Sequence, residues 1–158
     1  NHSFLLDIFA HIHRQNAKAV LLIIGQGRLE AELKAKVKNL GLESCVKFLG
    51  ERTDVPALYC AMDAFILPSQ FEGLPMTVIE AQTSGLPSFT SSDAVPQRAA
   101  FTSLLSFLSL RESAQKWAET ICAKSAEQHF TQRAEIGKAM EQSEWDITQA
   151  VSLLEEFF

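Results

Sequence analysis

Along the first ninety residues, short apolar runs alternate with helical periods, and that alternation leaves few folds open. Residues 46–49 and 87–90 read as short strands, and residues 19–24 and 64–67 are continuous apolar runs of Ala, Val, Ile, Leu or Phe. Such continuous apolar runs mark strands covered on both faces. Between them the apolar residues recur at helical spacing. Phe4, Leu5, Ile8, Phe9 and Ile12 form one stripe, with Asn1 or Ser3 as its cap. Leu29, Leu33, Val37 and Leu40 form another, which Gly41 stops. Thr53 or Asp54 caps a third, short helix that runs to about Met62. Strands and helices alternating across short loops require parallel pairing with right-handed crossovers. The fold class is therefore α/β, a doubly wound, Rossmann-like parallel sheet.

A last strand is expected within 101–108. Ser109 and Glu112 form a capping box for a helix that carries Trp117, Ala118 and Ile121 on one face. Helices over 133–142 and 146–158 complete the chain. This divides residues 1–158 into an α/β core, 1–108, and a helical tail, 109–158.

Composition narrows the function. Hydrophobic content of 47% with 21% charged residues suits one domain with a sizeable core. A net charge of -5 argues against a nucleic-acid binder held by phosphate contacts. Cys45, Cys60 and Cys122, odd in number and in apolar surroundings, read as buried thiols. His11 and His13 are two apart on a helix and do not face each other, so they are no metal pair. No apolar run is long enough to cross a bilayer and no signal peptide is recognisable. The chain opens mid-pattern at Asn1 without an initiator Met, as a piece of a longer protein would.

The chemistry concentrates after the third strand. A tight loop carries Glu72 and Gly73, and a short helix follows. Pro75 suits its first position, Gly85 the residue past its end, and Glu80 lies within it. Neither Gly73 nor Leu74 can cap that helix, so its first N–H groups are available to an anion. Glycine at 73 lets a ligand approach the backbone. On a helix, the eight positions from Glu72 to Glu80 mean roughly 12 Å of rise and about 80° of rotation. Carboxylates so placed cannot flank one bond as an acid/base pair, nor share a metal. They can hold the two ends of an extended, hydroxyl-rich ligand whose middle is a phosphate, and a nucleotide-sugar has that shape. Two more glycine loops, Gly25-Gln26-Gly27 and Gly50-Glu51-Arg52, follow strands at the same end of the sheet, where ligands of such folds bind.

The Glu72 to Pro87 stretch, with the three loops in this order and spacing, resembles the signature of the retaining glycosyltransferases of family four, which have the GT-B fold. The resemblance covers about the first ninety residues and implies the C-terminal, donor-binding half of such an enzyme. By that resemblance Glu72 touches hydroxyls of the donor sugar and is the residue on which transfer depends. Glu80 touches the ribose, and the backbone of Gly73, Leu74 and Pro75 lies near the diphosphate. Glu51 and Arg52 lie near the base, and Gly25 and Gly27 line the donor cleft. A nucleotide diphosphate sugar is then the substrate, with no cofactor and no metal.

Beyond Pro87 the pattern departs. The family's glycine-rich turn, proline and glutamate become residues 91–97, without glycine and with Gln97 in the glutamate's place. Branches that build capsule or other exopolysaccharides look similar there. The resemblance also implies an upstream first strand, basic side chains and an N-terminal acceptor domain. Without that strand, either the sheet is gapped or 19–24 pairs directly with 64–67. The closing helices either cross to the partner domain or pack on the sheet. The fragment alone is expected to be inactive. The implied location is the cytoplasm, with peripheral attachment to the inner membrane face if the acceptor is lipid-linked. Two other readings stay open. One is a nucleotide-sugar epimerase or hydrolase on the same fold. The other is a non-catalytic module docking through its helical tail with Phe157 and Phe158.

Overall fold

Strands and helices alternate in a computed structural model that describes residues 1–127 together with 136, 140, 141 and 143. The order is α1 (His2–Gln15), β1 (Leu21–Ile24), α2 (Glu30–Asn39), β2 (Val46–Gly50), α3 (Val55–Ala61), β3 (Phe65–Leu67), α4 (Met76–Thr83), β4 (Ser88–Ser91), β5 (Leu105–Leu108) and α5 (Ala114–Glu127). A single 3₁₀ turn, Gln97–Ala99, lies between β4 and β5. The expected helices over 133–142 and 146–158, with Phe157 and Phe158, lie outside the described residues apart from the isolated positions named above.

All the strand pairs are parallel, but they fall into two sheets. β1 pairs with β2, and the register slips between Ile23 and Ile24 so that Ile24 stands opposite Gly50. The extra residue, Leu49, makes a bulge that re-aims the loop after β2. β3 pairs with β4, and β4 with β5. Among the described residues no strand of one sheet pairs with a strand of the other. Of the two arrangements the sequence allows, the gapped one is found. Chain order runs outward from β1 to β2 on one side and from β3 through β5 on the other. The topological switch point is therefore the seam between β1 and β3.

Side-chain alternation builds three layers. In the larger sheet Ile66 and Phe89 point to one face, where Ile8 of α1 and Trp117, Ala118 and Ile121 of α5 cover them. Phe65, Leu67, Leu105 and Phe107 point to the other face, under Val78 and Ile79 of α4. α1 is shared between sheets, because Leu6 and Phe9 pack instead with Ile23, Val37 and Val46. Trp117 is fully buried, meets Phe4 edge-on at 5.8 Å, and donates its Nε1–H to the Ser109 carbonyl at 2.9 Å.

Several helix ends differ from the sequence reading. Pro75 is the N-cap of α4 and not its first helical residue, since its ψ of 94° is extended. Gly85 ends α4 as expected, at φ +76°. The Gly85 N–H reaches Gln82 and the Leu86 N–H reaches Ala81 at 2.9 and 3.0 Å, the paired closure of a Schellman end. Ser109 does not cap α5, because its hydroxyl donates to Asp93 at 3.1 Å. Ser113 caps instead, accepting the Lys116 N–H at 3.2 Å. Asp54 caps α3 without a side-chain bond, its carboxylate being taken by Arg52. Asn1, not Ser3, caps α1, also without a side-chain bond, and the Ser3 hydroxyl accepts from Lys36. Of the three thiols only Cys45 is buried; Cys60 is exposed and Cys122 half-buried. The helical period of α3 turns Cys60 away from the face that carries Tyr59.

The underside of α4 is polar at one point. Gln82, with no exposure, donates to the Val78 and Ala99 carbonyls at 3.2 and 2.8 Å and accepts from Thr102 at 3.0 Å. The near-isosteric Gln82→Leu strips these partners without opening a cavity. It should cost about 1–3 kcal/mol, the range for buried polar groups left unpaired. Urea unfolding of wild type and variant measures it, and an unchanged midpoint would show that the network contributes nothing.

Candidate functional site

The loops at the carboxyl ends of the strands owe their shape to hydroxyls from β4. This strand reads Ser-Phe-Thr-Ser and is buried along its whole length. Pro68 follows β3 and has no N–H to continue a ladder. The Thr90 hydroxyl donates to the Leu67 carbonyl at 3.0 Å, and the Ser91 hydroxyl donates to the Ser69 carbonyl. Ser69 then donates its own hydroxyl to Glu72 Oε1 at 2.7 Å. Buried hydroxyls of β4 thus fix the backbone on either side of Pro68, and the Ser69 side chain carried by that backbone holds the Glu72 carboxylate.

Glu80 is held in a comparable way from a different element. The phenol of Tyr59, on α3, donates to Glu80 Oε2 at 3.3 Å. The Tyr59 ring is buried with Ala81 and Leu86 and stands edge-on to Phe65 at 5.9 Å. Burial first, and then the charge of Glu80, push the phenol up from 10.0 to about 12. The Ser69 hydroxyl and the Tyr59 phenol are both neutral donors, and each carboxylate retains oxygen lone pairs that can accept further hydroxyls.

Two cavities adjoin at the seam between the sheets. The larger, about 640 Å³, is lined by Gly25, Gln26, Gly27, Arg28 and Lys36 among others. The smaller, about 430 Å³, is lined by Ile66, Pro68, Ser69, Phe71 and Glu72. Asn1 and His2, at the start of α1, and Gln70 line both. The start of α1 therefore points its partial positive charge into the junction. Burial pushes the His2 imidazole below its ordinary value. Lys36 brings further positive charge, which it shares with Asp7 at 2.7 Å.

The sequence-derived residues are thus partly gathered. Gly25 and Gly27 line one cavity, Glu72 the other, and Gln70 connects them. Gly73, Leu74, Pro75 and Glu80 line neither; they sit at the adjoining start and outer face of α4, whose first turn no side chain caps. Glu51 and Arg52 also line neither. Their loop is tied to the first by the Gly25 N–H, which donates to the Gly50 carbonyl at 2.7 Å. Arg52 grips Asp54 with two bonds of 2.8 and 2.6 Å, which hold the Asp54 carboxyl below its usual range. Ser69, Gln70, Tyr59, Arg28 and His2 escape sequence reasoning. Only Ser69, three residues before Glu72, carries a local signal. Among the described residues no group of three or more His, Cys, Asp or Glu side chains could hold a metal ion. No described helix is long and apolar enough to cross a membrane.

Known proteins share the sequence pattern and the fold of this chain. A family profile described as "Glycosyl transferases group 1" matches residues 1–124. EpsF of Bacillus subtilis (strain 168), which bears a glycosyltransferase name, is 36% identical over 154 residues, covering 98% of this chain and 40% of that protein. The amylovoran biosynthesis glycosyltransferase AmsD of Erwinia amylovora is 36% identical over 88 residues, 56% of this chain and 24% of that protein. The chain thus spans less than half the length of these relatives. Among solved structures, Anabaena Alr3699/HepE in complex with UDP and glucose superposes with a TM-score of 0.76 at 22% identity, covering 98% of this chain and 43% of that one.

Tyr59 is the chain's only tyrosine, so its ionisation can be followed directly. Its raised value favours the protonated phenol in the fold. The associated stability is complete below pH 10 and is lost as the pH rises through about 12. Tyrosinate absorbance should therefore appear near 12 in the folded chain and near 10 in denaturant. Glu80→Gln should return the folded value only partway, since burial is the larger cause. Titration of the native chain near 10 would mean that Tyr59 is neither buried nor facing Glu80.

Proposed function

The chain belongs to the group 1 glycosyl transferases, and from that premise we propose that it binds the donor for transfer of a glycosyl unit, with retention, from a nucleotide diphosphate sugar. Its fold is that of the C-terminal half of GT-B enzymes. One observation carries the reading. At the switch point of the sheet, the start of α1 faces two joined cavities, and a carboxylate fixed by Ser69 stands at the rim of one. Ligands of open α/β sheets bind at that place.

In this reading Glu72 accepts hydroxyls of the donor sugar and Glu80 those of the ribose. The backbone of Gly73, Leu74 and Pro75 lies along the diphosphate, and Gly25 and Gly27 form the cleft floor. Glu51 and Arg52 approach the base, with Arg52 keeping or exchanging its bond to Asp54. Glu72 orients the reacting sugar and transfers no proton. Departure of the diphosphate is eased by helix N–H groups and basic side chains, a form of stabilisation that needs no bound metal. The acceptor site belongs to an N-terminal domain. The name of AmsD supports a product in polysaccharide or glycolipid synthesis, made in the cytoplasm and at the inner membrane face if the acceptor is lipid-linked.

Calorimetry with uridine, guanosine and adenosine diphosphates tests the donor site. Binding with one base preferred is the expected result, and absence of binding by folded protein would favour a docking module instead. In the intact protein, Glu72→Ala should lower transfer at least about 100-fold, the scale of a lost positioning contact, with an unchanged fold by circular dichroism. Turnover within a few-fold of wild type would remove the role given to Glu72.

Gly73 offers a separate check. Its φ is not positive, and a Cβ placed there would meet no protein atom within 4 Å. Neither conformation nor packing calls for glycine, so a ligand's approach is left as the reason. Gly73→Ala should leave thermal stability unchanged or raise it by up to about 1 kcal/mol, while weakening nucleoside diphosphate binding about tenfold. Equal affinity in the two proteins would place the diphosphate elsewhere.

A further inference from the structure

We infer that Tyr59 is a positioning residue for nucleotide recognition: its phenol, reaching from α3, sets the Glu80 carboxylate in the place where it accepts ribose hydroxyls. The inference rests on the ribose-binding role of Glu80 proposed above, and goes beyond it by naming what holds that carboxylate.

Glu80 is exposed and lies on a helix whose first turn no side chain caps. A glutamate in that setting samples several rotamers, and a ligand that needs one of them must bear the entropy of fixing it. The Tyr59 ring cannot sample. It is only 4% exposed, packs with Ala81 and Leu86, and meets Phe65 at an interplanar angle of 77°. Its hydroxyl is carried to the surface at one point and there donates to Glu80 Oε2 at 3.3 Å. The bond engages one carboxylate oxygen and leaves the other to accept from a ligand.

The donor's chemistry also matters. A lysine or arginine in the same position would hold the carboxylate by charge and draw its acceptor strength away from a neutral sugar hydroxyl. A phenol holds it by direction alone. The phenol stays protonated throughout the neutral range, so its donor role does not vary with pH. α3 follows the Glu51 and Arg52 loop directly, so one element places both the proposed base-proximal loop and the ribose acceptor. The adjoining Arg52–Asp54 pair is exposed and sits at the opposite end of α3 from Tyr59.

The test compares nucleoside diphosphates with their 2′,3′-dideoxy counterparts, which lack the hydroxyls Glu80 would accept. Uridine, guanosine and adenosine forms are titrated into the intact protein as wild type, Tyr59→Phe and Glu80→Ala. Wild type should prefer the ribose form, and Glu80→Ala should lose that preference. Tyr59→Phe keeps the ring and its packing. It should bind the ribose form about three- to tenfold more weakly while the dideoxy form binds as in wild type. A preference intact in Tyr59→Phe but lost in Glu80→Ala overturns the role of Tyr59 and leaves the ribose role of Glu80 standing. A preference intact in Glu80→Ala, or no binding by wild type, overturns both. Equal weakening of ribose and dideoxy forms in Tyr59→Phe marks a purely structural tyrosine and also overturns the inference. The comparison within each variant separates recognition from loss of folded protein.

Discussion

One helix with two apolar faces holds the described structure together. The two sheets share no strand pairing, so the hydrogen-bonded ladder that normally runs through a doubly wound sheet is interrupted at the seam. α1 crosses that interruption. Leu6 and Phe9 go to the core of β1 and β2, and Ile8, one position away from Phe9, goes to the core of β3, β4 and β5. The stripe is wider than a helix packing on one surface would need. Lys36 adds a polar tie from α2, donating to the Ser3 carbonyl and hydroxyl and to Asp7. The start of the same helix opens on the two cavities. The element that unites the sheets therefore also sets the geometry of the site between them.

A second dependence runs through the buried hydroxyls of β4. A strand covered on both faces is expected to be aliphatic, yet Ser88, Thr90 and Ser91 have no exposure. Each hydroxyl has an acceptor, Leu86, Leu67 and Ser69 in turn. A paired buried hydroxyl costs little, and here two of the three take over carbonyls beside Pro68, which cannot itself donate. The polar strand is thus the counterpart of the proline at the end of its neighbour. It lets the chain leave the sheet abruptly and still hold Ser69, and through it Glu72, in one place.

The fold class was legible because runs such as Leu21–Ile24 are too short for helices and too apolar for loops. The ends of elements were less so. Ser109 and Glu112 match a capping box by spacing, but Asp93, sixteen residues earlier, competes for the serine hydroxyl, and local pattern cannot register that. Pro75 was misplaced by one position, since proline constrains φ and leaves ψ open. Gly25, Gly27 and Glu72 were singled out by the order and spacing of three loops after strands, and they line the two adjoining cavities. Tyr59 and Arg28 were not, because their positions depend on how α3 and α2 lie against neighbours far along the chain. Cys60 was assigned to the core by its apolar neighbours, but the rotation of about 100° per helical residue turns it out of the face that buries Tyr59.

An acidic chain proposed to bind a doubly anionic donor must keep its carboxylates apart from the diphosphate. Net charge is -5, and two carboxylates lie near the proposed ligand path. A carboxylate beside a phosphate is repulsive, and exposed charges are screened only beyond about 8–10 Å. Glu72 lies in the loop before α4 and Glu80 within the helix, so the helical spacing read from the sequence does not apply between them, and the two carboxylates are held by separate elements. Positive charge near the proposed path comes from the start of α1 and from Arg28 and Lys36, which line the larger cavity. In the proposed reading the ends fall to Glu72 and Glu80, which would accept from neutral sugar hydroxyls. Neutral hydroxyl donors complete the scheme, because a cation used to hold either carboxylate would compete with the sugar hydroxyls for it.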